Sequence, residues 1–243
     1  GMILRLSTGP DMRAPPTPDN EATRLRAVEQ LDMVYTPAEE RFDQITRIAT
    51  RLFNVPIALV SLVTEDQQWF KSRQGLTAAE TSRQISFCGH AILNSDIFVV
   101  PNALKDPDFR DNPLVTGPPN IRFYAGQPLR FEQMRIGTLC IIDRKPRQLR
   151  PRDYDSLRSL GSWVEMVLED WRQAKSAFMQ RVSALPHRET LLDPLTGNLN
   201  TKGMQLLQQR IGDEQFATRQ YVVEYHLIQP DANRDEQLRL KIA

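Results

Sequence analysis

The chain is short of cysteine, with two in 243 residues, Cys88 and Cys140. Both sit among apolar neighbours, so they read as free thiols in a reducing cytoplasm, not as a disulfide framework. With only three histidines beside them, they supply too few partners for a structural zinc site, and no metal is expected. An excess of charge is missing too: 31 Lys and Arg face 30 Asp and Glu, a formal net charge of +1. So even a balance gives no electrostatic hold on nucleic acid or on an anionic membrane. No apolar run approaches the roughly 20 residues that a membrane helix needs, and no signal-peptide pattern opens the chain. Nothing resembles a phosphate loop, a nucleophile–base triad or a pair of catalytic acids. What is there is ordinary: 40% hydrophobic and 25% charged residues, enough for one domain with an appendage or for two small domains.

The chain is organised around Ile121 to Asp143. In its first half Ile121, Phe123 and Ala125 alternate with Arg122 and Tyr124, so the two sets face opposite ways. In its second half, Ile136 to Ile142, nearly every residue is apolar and many are β-branched. Joined by a turn at about Arg130 to Met134, the halves predict an antiparallel pair whose second strand is covered on both faces.

Up to Asp19 the chain carries Pro10, Pro15, Pro16 and Pro18, the composition of a flexible leader (1–19). Asp19 and Asn20 can cap a helix from Glu21 to about Val34, its stripe formed by Leu25, Val28, Leu31 and Met33 or Val34. Thr36-Pro37-Ala38-Glu39 reads as a capping box opening a second helix, with Phe42, Ile45, Ala49, Leu52 and Phe53 as its stripe. Strands follow at Ile57 to Val63 and Gln67 to Gln74. Ser86 caps a short helix from Phe87 to about Asn94, and Ile97 to Val100 forms a further strand. The stretch from Asp106 to Pro119 has no periodicity; loops this long inside a domain are usually functional or cover a site.

Pro151 starts a long helix that Pro186 ends. Along it Leu157, Leu160, Val164, Val167, Trp171, Ala174 and Phe178 recur in steps of three and four. That stripe either packs on the domain's own sheet or forms the seam of a helical dimer. After His187 come one helix-like stretch, Thr201 to Arg210, and one strand-like run, Tyr221 to Ile228.

Several stretches together resemble a GAF domain, from about Glu21 to Trp171. They are Thr36-Pro-Ala-Glu-Glu-Arg-Phe-Asp43, Pro56-Ile-Ala-Leu-Val-Ser-Leu-Val63, Gln68-Trp-Phe-Lys-Ser72 and Ser86-Phe-Cys-Gly-His-Ala-Ile92. Ile121-Arg-Phe-Tyr-Ala-Gly126 and Arg135-Ile-Gly-Thr-Leu-Cys-Ile-Ile-Asp143 complete the set. The resemblance implies an α+β fold: an antiparallel sheet of five or six strands with helices on both faces, a ligand pocket on one of them, and a long C-terminal helix. It places the domain at about 20–172, overlapping the signalling helix at 151–186, and implies signalling rather than catalysis. Leu191-Leu-Asp-Pro-Leu-Thr-Gly197 resembles the opening of a diguanylate cyclase (GGDEF) domain. Thr201 stands where that family has arginine, Tyr221 to Ile228 offers Glu224 and no aspartate for metal, and no GGDEF loop follows. Residues 187–243 are therefore read as a truncated, degenerate segment, and the chain as no enzyme.

For a ligand site the mixture of apolar and polar groups points to the Phe87–Asn94 helix, the loop at Asp106 to Phe109 and the strand with Arg122 and Tyr124. His90, Arg122 and Tyr124 are its expected polar contacts, and Phe87, Phe109 and Cys140 its walls; Cys88 is a further candidate that reads first as a small buried apolar residue, not a reactive one. Arg122, once buried, needs an acceptor, either a carboxylate such as Asp106 or Asp108 or an anionic ligand. Cys88 and His90 are two apart on a helix and point about 200° away from each other, so they do not share a site. Gly89 separates them, whereas bilin-binding GAF domains attach their chromophore at a cysteine followed directly by histidine; neither bilin nor haem is expected. The reading is a cytoplasmic sensory module that binds a small molecule or a partner protein. It relays through a homodimer made by Leu157, Leu160, Val164, Val167, Trp171 and Phe178. The alternatives are a diguanylate cyclase and a purely structural dimerisation module.

Overall fold

Two helices open the folded part of the computed structural model, which describes residues 12–212 and the strands Val223–His226 and Arg239–Ile242. Helix α1 (Glu21–Leu31) stops short of Val34 because Asp32 turns left-handed, at φ 51°. Helix α2 (Glu40–Phe53) starts after the expected capping box, with Glu39 as an N-cap that makes no side-chain cap bond. The residues of that box have another task. Thr36 Oγ1 and the Pro37 carbonyl accept hydrogen bonds from the ammonium of buried Lys71 at 2.8 and 2.7 Å, and Glu39 pairs with it.

The sheet strands are β1 (Ile57–Val63), β2 (Gln67–Gln74) and β3 (Glu80–Ser82), then β4 (Phe98–Val100) after helix α3 (Phe87–Ala91). Helix α4 (Pro113–Thr116), β5 (Phe123–Phe131), β6 (Met134–Asp143) and helix α5 (Pro151–Ser183) follow. Six strands pair antiparallel in the order β3-β2-β1-β6-β5-β4. The fold is α+β, with β6 central and buried at every position from Ile136 to Asp143. Glu132 and Gln133 link β5 to β6, both left-handed at φ 49° and 67°, as a two-residue hairpin turn requires. The register of β1 against β2 slips by one residue, so that Val60 faces Ser72 and Ser61 faces Phe70. Lys71 is the extra residue of this bulge. Ser72 meets Asp43 and Thr46 of α2 at 2.5 and 2.8 Å, and Lys71 meets the chain just ahead of α2, so both serve the helix-covered face.

The long helix lies on that same face. Trp171 Nε1 donates to the Leu31 carbonyl at 2.8 Å, and its ring stands 5.9 Å from the Lys71 ammonium. Gly161 lets α5 approach β5: a Cβ there would be 2.5 Å from Gln127 Cγ. Leu157, Leu160, Val164, Val167, Trp171 and Phe178 are all buried within one chain. The stripe expected at a dimer interface is thus buried in the single chain, where α5 lies against the end of α1 at Trp171 and against β5 at Gly161.

The leader departs from expectation where it is described. The Arg13 carbonyl accepts from His90 Nε2 at 3.2 Å, and its guanidinium lies 3.6 Å from Asp108. Pro15 packs so closely on α3 that a Cβ on Gly89 would stand 2.7 Å from Pro15 Cγ. The loop after Asp106 is less irregular than expected, since Asn112 caps α4 by accepting from Leu114 N at 2.9 Å.

The chain divides into two units, Gly1–Arg181 and Val182–Ala243. In the second, the Asp193 carboxylate accepts from the amides of Leu195 and Thr196 at 3.0 and 2.8 Å. Asn200 accepts from Gly203 N at 3.0 Å near the start of helix α6 (Thr201–Gly212). Strands β7 (Val223–His226) and β8 (Arg239–Ile242) pair antiparallel. The flanks of the Tyr221–Ile228 run lie outside the described residues. Among the described residues no helix is long and apolar enough to cross a membrane.

Candidate ligand site

Ser86 fixes α3 at both ends of its hydroxyl, accepting from Gly89 N at 2.8 Å and donating to Gln68 Oε1 at 2.6 Å. The helix thereby presents Phe87, Cys88 and Ala91 to the sheet face that carries Leu59, Phe70, Tyr124, Cys140 and Ile142. Beside it an aromatic cluster occupies the space between α3, the Asp106–Phe109 loop and β5 where the residue pattern predicts a cavity. Phe87 stacks on Phe109 at 4.2 Å and tilts on Tyr124 at 5.2 Å; His90 meets Phe109 edge-on at 4.8 Å. Cys88 and His90 diverge, the first towards the sheet and the second towards Arg13.

Arg122 corrects another expectation. It donates to the carbonyls of Val115 and Ile121 at 2.9 and 3.0 Å, so loop backbone supplies these acceptors rather than the carboxylates of Asp106 or Asp108. Ile121 packs with Tyr124 and not with Phe123. The reason is that β5 begins only at Phe123, after a left-handed Asn120 at φ 63°, so strict alternation does not reach back to Ile121.

A cavity of about 510 Å³ opens next to the cluster. Phe87, Cys88 and Tyr124 line it as expected; His90, Phe109, Arg122 and Cys140 do not. Other parts of the wall carry no sequence signal for a site, among them Ile57 and Leu59 on β1, Gln68 and Phe70 on β2, Pro118 and Pro119 from the loop, and Arg144 after β6. The one available signal was the long loop itself, which does cover the site. Gln68 is held between Ser86 and Thr81, each at 2.6 Å. Arg144 gives one donor to the Pro119 carbonyl at 3.1 Å, and among the described residues lining the cavity it is the only cation. Such a wall suits a ligand with an apolar body and an anionic end.

The titratable groups nearby are perturbed for identifiable reasons. Burial pushes the Cys88 thiol up, yet hydrogen bonds from Cys140, Ser61, Thr138 and Tyr124 outweigh it and bring it from 9.0 down to about 6. Burial, with the bond it gives to Cys88, pushes Cys140 well up. Burial next to the two sulfurs likewise raises Tyr124. Burial lowers His90, against the pull of the Arg13 carbonyl and Asp108, so its imidazole is neutral near pH 7.

A six-stranded antiparallel sheet, helices on one face and a cavity under a short helix and loop on the other define an α+β domain with a covered cavity. The family model of the GAF domain matches residues 37–168, and the chain belongs to that family. A relative from Pseudomonas aeruginosa, named cyclic di-GMP phosphodiesterase PA2567, is 47% identical over 194 residues, 79% of this chain and 33% of that protein. The chain therefore spans about a third of the relative's length. Among solved structures, free methionine-R-sulfoxide reductase from Neisseria meningitidis is similar at 18% identity and TM-score 0.48, covering 67% of this chain and 98% of that one. The GAF domain of an Acinetobacter phosphoenolpyruvate-protein phosphotransferase is similar at 16% identity and TM-score 0.45, covering 68% and 96%. The expectation that the chain is no enzyme is overturned by the Pseudomonas relative, whose name is that of a phosphodiesterase. The reading of 187–243 as a degenerate GGDEF segment finds no support in these likenesses.

Proposed function

We propose that the protein acts in signalling as a cyclic di-GMP phosphodiesterase whose GAF domain is the regulatory unit, and that a small molecule in the cavity sets its rate. The observation that carries the sensory half is the cavity of about 510 Å³ walled by Phe87, Tyr124, Gln68 and Arg144. The catalytic half rests on the 47% identity to the Pseudomonas protein. A ligand pressing on Tyr124 and Phe87 acts on β5, and β5 meets α5 where Gln127 touches Gly161. Helix α5 then carries the change along the chain. Work as a cytoplasmic homodimer fits the two free thiols and the exposed Trp163 and Met166 on the outer side of α5, since the inner stripe is occupied.

The test is hydrolysis of cyclic di-GMP by the purified protein with divalent metal, alone and with cavity ligands found by thermal shift. Turnover that changes with ligand, and stops responding in Arg144→Ala, is the expected result. Absence of turnover overturns the catalytic half; a rate indifferent to a ligand that binds overturns the regulatory half.

A further inference from the structure

We propose that Cys88 and Cys140 form a thiol–disulfide switch in the cavity wall, oxidised by a small hydroperoxide. The switch goes beyond the ligand and hydrolytic roles above and depends on neither. Its first support is arrangement. Cys88 lines the cavity while Cys140 lies behind it on β6, two residues along from the Thr138 that bonds to the Cys88 sulfur and opposite the Gly126 over which Tyr124 lies, and both are free. One sulfur can meet a solute and the other can reach only its neighbour.

The second support is what surrounds the Cys88 sulfur. Thr138 Oγ1 donates to it at 3.1 Å and Tyr124 Oη at 3.4 Å, with Ser61 behind Thr138 at 3.1 Å. A thiol sulfur is a weak acceptor and does not require several hydroxyl donors. A thiolate does, and the thiolate is the nucleophile. The lowered ionisation of Cys88 agrees with this geometry. Cys88 is 2% exposed, so an oxidant has to enter through the cavity. That favours a hydroperoxide over a bulky disulfide, which needs three sulfurs in line.

In the first step the Cys88 thiolate attacks the outer oxygen of the hydroperoxide. The O–O bond breaks, its electron pair leaves on the second oxygen, and that oxygen takes a proton from solvent to give an alcohol or water. Cys88 is now a sulfenic acid. The Cys140 sulfur then attacks the Cys88 sulfur, the S–O bond breaks, and hydroxide leaves as water with the proton that Cys140 gives up. Two thiols are oxidised to one disulfide and one hydroperoxide is reduced. The disulfide ties α3 to β6 and removes a nucleophile from the cavity wall.

Hydrogen peroxide added to the full protein tests this, read by thiol titration and peptide mapping. The expected result is joint loss of both thiols, a Cys88–Cys140 disulfide peptide, and reversal by dithiothreitol. The rate should rise as pH passes through about 6 and level off above it. Cys140→Ala should stop at the sulfenic acid, trapped on Cys88 by dimedone, and Cys88→Ala should leave Cys140 unreactive. Survival of both thiols in the folded protein, oxidation of Cys88 without a disulfide, or reaction of Cys140 in Cys88→Ala each overturns the proposal. Should an alanine variant fail to fold, the peptide map of the unaltered protein decides alone.

Discussion

The Tyr124 ring lies over Gly126: a Cβ on the glycine would stand 2.8 Å from Tyr124 Cζ and 2.9 Å from Cε1. The missing side chain is what lets the phenol fold back along its own strand and reach the Cys88 sulfur. Gly126→Ala should therefore push the ring aside, with an overpacking cost of about 1–3 kcal/mol. Tyr124→Phe keeps the ring and loses only the hydroxyl, for about 1 kcal/mol. Denaturant melts of the two variants should rank in that order. Equal costs would mean that the strand yields elsewhere.

Lys71 is buried with Glu39 as its charge partner and Phe42 and Trp171 rings at 5.5 and 5.9 Å. Burial lowers its pKa, and Glu39 works the other way. Removing the partner alone leaves a buried charge unpaired, so Glu39→Gln should cost about 3–5 kcal/mol. Removing both, as Lys71→Met with Glu39→Gln, should recover much of that loss. A double variant no more stable than Glu39→Gln would show that the hydrogen bonds to Thr36 and Pro37, rather than the charge pair, hold this corner together.

That corner also shows where sequence reading succeeds and where it stops. The run Ile136 to Ile142 predicted a central strand because periodicity and burial are local properties, and the structure buries all of it. Thr36-Pro-Ala-Glu39 has the spacing of a capping box, but its side chains serve Lys71, thirty-odd positions on, and a bulge decides that Lys71 faces them. β3 (Glu80–Ser82) escaped notice, being three polar residues at a sheet edge with no periodicity to read. At the site, Phe87, Cys88 and Tyr124 were legible as an apolar helix face meeting a strand. Arg144, Gln68 and the prolines reach the cavity only through tertiary folding, and the aromatic stack that fills the neighbouring space is equally non-local.

Trp171 separates the two uses first open to the long helix. It is fully buried and bonded to the Leu31 carbonyl. Trp171→Ala should destabilise the fold by about 3–5 kcal/mol. Sedimentation of Trp171→Ala in the folded state should show the same assembly as the unaltered protein. A folded variant that merely dissociates would return the stripe to a dimer seam.

Acid should loosen the junction of α1 with the β2–β3 region. Glu21 sits between Arg24 and Arg83; burial raises its pKa, but the bonds and charges of the two arginines win and lower it from 4.5 to about 2. The unfolded chain therefore takes up this proton first. The stabilisation is complete above about pH 4.5 and is lost as pH falls towards 2. Glu21→Gln should be less stable at neutral pH and should flatten the acid limb of the melting curve between those limits. An unchanged acid limb would assign the loss to other carboxylates.

The cavity makes the most direct prediction. Its wall is mostly apolar, with Thr77, the Gln68–Thr81 pair, the groups around Cys88 and the Arg144 guanidinium as its polar members. Molecules with an apolar or aromatic body and a carboxylate or phosphate end should bind, and neutral analogues of the same body should bind less well. At about 100 times its dissociation constant such a ligand adds about 2.7 kcal/mol of apparent stability. That moves a melting curve measurably in a screen of nucleotides, amino acids and aromatic acids. Arg144→Ala should weaken the acids and spare the neutral analogues, because Arg144 is exposed at the rim and its loss leaves the core untouched. Tyr124→Ala, by contrast, should weaken both classes by changing the shape of the wall. If Arg144→Ala weakens acids and neutral analogues alike, the charge does not select the ligand, and the anionic end has no counterpart in this site.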